Sequence, residues 1–77
     1  MDREKVKEAL QEIVANEKAP ALNWAVNYAK YALTMIDSGA SEADLKVQLS
    51  YVLSNITHWR GDKTKEVRLV LKGATKK

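Results

Sequence analysis

The chain has no cysteine, one proline, three glycines and one histidine. Without cysteine, no disulfide can staple the core and no thiolate can bind a metal or act as a nucleophile. A lone histidine beside no cysteine leaves no clustered metal-ligand pattern, and three scattered glycines make no phosphate-cradling loop. No cofactor and no small-molecule substrate are therefore expected. No apolar run approaches the ~20 residues that span a bilayer, so no membrane partner is expected. Met1-Asp2-Arg3-Glu4-Lys5 is charged and leads into no apolar h-region. The expectation is a chain without a secretory signal, cytoplasmic and intracellular.

What is present is an ordinary apolar fraction, 45%, with a high charged fraction, 30%. That balance reads as one small globular domain over residues 1–77, able to bury only ~60% of its unfolded surface. The net charge of +3 conceals an asymmetry. Residues 1–59 carry six Lys/Arg and eight Asp/Glu, a net −2; residues 60–77 carry seven and two, a net +5. A basic end of this kind either meets an anionic partner or is simply solvated.

The periodicity predicts an all-α bundle of four short helices. In residues 2–18, Val6, Leu10, Ile13 and Val14 form the narrow stripe of an amphipathic helix. Pro20 ends that helix and suits the first position of the next, 20–37. This second helix is alanine-rich and apolar over more than half of its circumference. Leu22, Val26, Ala29, Leu33 and Ile36 make one stripe, and Trp24, Tyr28, Tyr31 and Met35 make another. Such a helix is contacted on two sides, which places it centrally. Gly39 can end it in a left-handed conformation, and Ser41 with Asp44 resembles a capping box. A third helix, 42–60, lines up Leu45, Leu49, Val52, Ile56 and Trp59, with Gly61 as its stop. A fourth, 63–72, capped by Asp62 or Thr64, turns Val67, Val70, Leu71 and Ala74 inward. A strand at Val67–Leu71 would have no partner, so a helix is expected there.

Several short words invite chemistry. Arg60-Gly61-Asp62 spells an adhesion tripeptide, but it arises by chance about once per several thousand positions. Each letter also serves a helix junction: Arg at a C-terminus, Gly just past it, Asp as the next cap. Asn55-Ile56-Thr57 has the form of a glycosylation acceptor, placed mid-helix in a chain with no export signal. Ser54, His58 and Asp62 could share a helix edge, yet a serine on a regular helix is not presented like a nucleophile on a strained turn. Asp37 and Asp44 flank a turn rather than a pocket. Gln48, Tyr51, Asn55 and His58 form a polar strip that reads as a core boundary. No enzyme is expected from these arrangements.

Two features remain as candidate surfaces. Trp24, Tyr28, Tyr31 and Met35 exceed what the narrow first helix and the short fourth can cover. Uncovered Trp, Tyr and Met mark interfaces, so a protein partner or a second copy of the chain in a homodimer is the favoured occupant. The alternative is nucleic acid. A helix-turn-helix about Gly61 would present Lys63, Lys65, Arg68 and Lys72 to phosphates. The stretches "ALNWAVNYAKYAL" and "VQLSYVLSNITHWRGDKTKEVRLVLK" resemble small uncharacterised helical proteins encoded by phages and prophages. The span from the first of these stretches to the end of the second, residues 21–72, is about two-thirds of the chain, and the resemblance brings no site residues with it. It implies a host- or DNA-directed binding role rather than metabolism.

Overall fold

Asp2 opens the first helix by accepting a hydrogen bond from the Lys5 amide, 3.2 Å away. In the computed structural model, which describes residues 1–76, α1 runs Arg3–Ala15. Its buried residues are Val6, Ala9, Leu10 and Ile13, a spacing that a 3.6-residue repeat brings to one side. It stops short of Lys18, where the Asn16 side chain turns back onto the Glu12 carbonyl at 2.8 Å.

Pro20 then starts a 3-10 turn, Pro20–Leu22. A residue with no N–H is harmless there, because that donor has no intrahelical partner in a first turn. Leu22 drops into the core. The second helix, α2, follows as Asn23–Asp37 and buries Ala25, Val26, Ala29 and Ala32. Three of these are alanines, whose small side chains let neighbouring helices approach closely. Gly39, at φ +75°, ends α2. The Ala40 amide bonds the Met35 carbonyl (2.9 Å) and the Gly39 amide bonds that of Ile36 (3.2 Å). These are the two bonds of a Schellman end. The Ser41 hydroxyl, accepting from the Asp44 amide at 3.2 Å, caps α3, Glu42–Ser54.

The third helix is shorter than its periodicity suggests. It ends at Ser54 rather than Arg60, and residues 55–63 form an irregular, turn-rich loop. Ile56 and Trp59 are buried all the same, so the apolar positions expected of the helix reach the core from the loop. The reason lies in α4, Thr64–Thr75. The Arg68 guanidinium Nη2 donates toward the carbonyls of Ile56 (2.9 Å), Thr57 (2.9 Å) and Trp59 (3.2 Å). Those carbonyls obtain from α4 the donors that a continuing helix would have supplied. Arg60, Gly61 and Asp62 accordingly lie exposed in this loop and do not mark a direct helix-to-helix junction. The α4 cap position is Lys63, with no side-chain bond, instead of Asp62 or Thr64. Val67–Leu71 is helical. The buried Thr64 Oγ1 has no hydrogen-bond partner, and nothing in the structure explains it.

The four helices close a ring. α1 packs on α2, α2 on α3, α3 on α4 and α4 back on α1. The start of α1 is tied to the α2–α3 turn by the Met1 amino group on Glu42 (3.0 Å), Arg3 on the Ala40 carbonyl (2.8 Å) and Lys7 on Asp37 (3.8 Å). The hydrogen bond from the Met1 ammonium, its charge and nearby Lys46 hold the Glu42 carboxyl below its ordinary value. The radius of gyration is 11.1 Å, against about 11.5 Å expected for a compact chain of this length. Among the described residues no helix is long and apolar enough to cross a membrane.

Candidate functional site

The ring gives α2 two principal partners, α1 and α3. Its core-facing residues Ala25, Ala29 and Ala32 are fully buried between them. At 100° per residue, Tyr28 falls on the flank toward α3, and Met35, Trp24 and Tyr31 fall progressively further outward. The structure follows that order. Tyr28 is half-buried and Met35 packs partly against the core, while Trp24 stays 69% exposed and Tyr31 62%. The aromatic stripe is therefore divided. Tyr28 and Met35 form its seat, and Trp24 and Tyr31 stand clear of it.

The third helix extends this surface. Tyr51 stacks on Tyr28, with ring centroids 5.8 Å apart and planes inclined by 27°, an offset geometry that aromatic rings prefer. Gln48 Nε2 donates to the Tyr28 carbonyl at 3.0 Å and locks the two helices at that level. Tyr51 remains 52% exposed, and Val47, one turn earlier, 56%. The strip Gln48, Tyr51, Asn55 and His58 is thus split. Gln48 binds α2, Asn55 ends α3 by donating to the Tyr51 carbonyl (2.8 Å), and His58 is exposed on the loop. Tyr51 and Val47 belong to the candidate surface, although the sequence pattern assigned Tyr51 to a core boundary. Their i, i+4 spacing was the available signal. Each aromatic side chain has about 150–250 Å² to bury, so the open rings and Val47 present on the order of 400 Å². That lies within the ~300–600 Å² of patches that commonly carry function.

At the Trp24 end the surface runs into a shallow cleft of about 460 Å³, lined by Pro20, Trp24, Ser54, Asn55, Thr57 and His58 among others. Ser54 and His58 therefore share a cleft, but Asp62 is absent from its lining. The helix edge that would have aligned all three ends at Ser54. Among the described residues no group of three His, Asp or Glu side chains is placed to hold a metal ion.

The basic residues of α4 are engaged differently. Arg68 is committed to three loop carbonyls, and Lys63 pairs with Glu66 at 3.7 Å. Lys65 and Lys72 are exposed, and helical spacing places them on an outer face with Leu69, itself 70% exposed. On the side toward α1, a cleft of about 440 Å³ mixes Lys5 and Lys63 with Glu8, Glu12 and Glu66. Comparison of the chain with family models, with curated proteins and with solved structures finds no match.

Proposed function

We propose that this chain is a non-enzymatic protein-interaction module that docks through the α2–α3 face. The observation that supports the reading is the exposure of Trp24 and Tyr31 beside Tyr51 and Val47. A small domain gains most of its stability from buried apolar area. Two large rings held in solvent on one side add little of it. Their chemistry suits recognition instead: large contact area, few rotatable bonds and a polar tip that can remain wet. Beneath them the Tyr28–Tyr51 stack and the Gln48 hydrogen bond hold the platform in shape, which reduces the ordering cost of binding.

The reading requires that Trp24 and Tyr31 be dispensable for folding. The double substitution Trp24→Ala, Tyr31→Ala is expected to change the free energy of urea unfolding by no more than about 0.5 kcal/mol, as for surface positions. A loss above about 2 kcal/mol would make these side chains structural and overturn the docking reading.

A further inference from the structure

We propose that the outer row of α4, Lys65, Lys72 and Lys76 with Arg60 at its border, binds the phosphodiester backbone of a nucleic-acid duplex without reading its bases. Placement is the first argument. At 100° per residue, Lys65, Lys72 and Lys76 fall within about 40° of arc. All three are exposed, Lys76 at the C-cap. The buried Val67, Leu71 and Ala74 take the far side of the helix. Arg68 lies on the flank beside the row and holds the carbonyls of Ile56, Thr57 and Trp59. It draws the loop along that flank, and Arg60, the residue after Trp59, is exposed there.

Charge is the second argument. Among the described residues Arg60, Lys65, Lys72 and Lys76 have no ion-pair partner. Asp62 and Glu66 are the only acidic residues between 60 and 77, and Glu66 pairs with Lys63. The α1 carboxylates Glu8 and Glu12 stand across the other flank of α4, in the cleft with Val67 and Val70. The row keeps its positive charge, and that charge selects an anionic partner.

The form of the row selects among anions. Lys65 to Lys72 is about 10.5 Å along the axis and Lys72 to Lys76 about 6 Å. The row thus spans about 16.5 Å, against one phosphate per ~3.4 Å of rise on a duplex strand. Ammonium groups on long, flexible stems suit such a repeated point charge and need no groove. An anionic membrane asks for an apolar stripe as well, and Leu69 is the one large apolar side chain on this face. Beside Leu69, Gly73 leaves the helix surface bare. A Cβ there would meet nothing within 4 Å, so packing does not require the glycine, and glycine within a helix costs stability. What it provides is room for another backbone to approach. Arginine is the side chain best suited to read guanine, but Arg68 is turned to the loop, and Lys63 shares its charge with Glu66. The contacts left are to phosphates, which position a protein and carry no sequence information.

Fluorescence anisotropy of a labelled DNA duplex of about 20 base pairs, titrated with the full chain from about 25 to about 200 mM NaCl, tests the proposal. The logarithm of the association constant is expected to fall linearly with the logarithm of salt, with a slope of about −3 to −4 for three to four phosphates. A second duplex of unrelated sequence is expected to bind within ~2-fold. Lys65→Gln with Lys72→Gln is expected to weaken binding at least ~10-fold at the lowest salt and to reduce the slope by about 2. Lys18→Gln with Lys30→Gln removes the same charge outside α4 and its loop, and is expected to change affinity by no more than ~2-fold. Circular dichroism checks that both variants are folded. Absence of binding at the lowest salt overturns the proposal, as does an equal loss from the two variants, which would make net charge the cause. A sequence preference above ~10-fold overturns the backbone reading. Adsorption to phosphatidylserine vesicles without binding to either duplex overturns it in favour of a membrane. The docking reading is independent of these results, since it concerns the α2–α3 face.

Discussion

Arg68 holds the loop after α3 in place. Its guanidinium reaches the carbonyls of Ile56, Thr57 and Trp59 from one side of α4. Hydrogen bonds from a charged donor contribute about 1.5–3 kcal/mol, and stranding a part-buried carbonyl adds cost. Arg68→Ala is expected to lower the free energy of urea unfolding by about 2–3 kcal/mol. Arg68→Lys should restore only part of that, because an ammonium on a flexible stem lacks the planar fork. Recovery of full stability by lysine would show that charge alone suffices there. The positive charge at residue 68 is plain in the sequence. Its partners lie nine to twelve residues away, and no helical periodicity connects them.

At the scale of the element, the α2–α3 connection is the most local device in the fold. Gly39 has a positive φ, and a Cβ built on it would meet nothing within 4 Å. Any cost of a side chain is therefore backbone strain rather than a clash. Gly39→Ala is expected to reduce stability by about 1 kcal/mol, read as a lower urea midpoint with an unchanged slope. An unchanged midpoint would mean that the turn can relax into another closure. Glycine followed two residues later by a capping serine was legible because both signals act within one helical turn. The end of α3 gave no comparable signal. Leu45, Leu49, Val52, Ile56 and Trp59 keep helical spacing throughout, and all are buried. The same burial is reached by a helix as far as Ser54 and an ordered loop beyond it.

For the molecule as a whole, the two tryptophans play opposite parts. Trp59 is 6% exposed and closes the core beneath the loop, whereas Trp24 is 69% exposed. Removing a buried tryptophan costs about 3–5 kcal/mol. At roughly 0.05–0.15 kcal/mol per residue, a chain this short has about 4–11 kcal/mol in total. Trp59→Ala is therefore expected to lower the melting temperature by at least about 12 °C, read by circular dichroism, in contrast to the near-neutral Trp24→Ala, Tyr31→Ala. An unchanged melting temperature for Trp59→Ala would place the stabilising core elsewhere. Both residues fall on apolar faces of their segments, so spacing alone could not separate them. The ring of helices does, because it covers α2 from α1 and α3 and leaves the outer flank of α2 open.

The sequence by itself determined the all-α class, the four segments, the Gly39 stop and the Ser41 cap, and which side of each segment is apolar. These follow from interactions within one or two turns and from the 3.6-residue repeat. Only the tertiary structure decided where α3 stops, that Arg68 is turned to the loop, and that Tyr51 and Val47 join Trp24 and Tyr31 on one open surface. The reason is physical. An apolar flank is core or surface according to whether another helix lies over it, and the position of that helix is set by the packing of the whole chain.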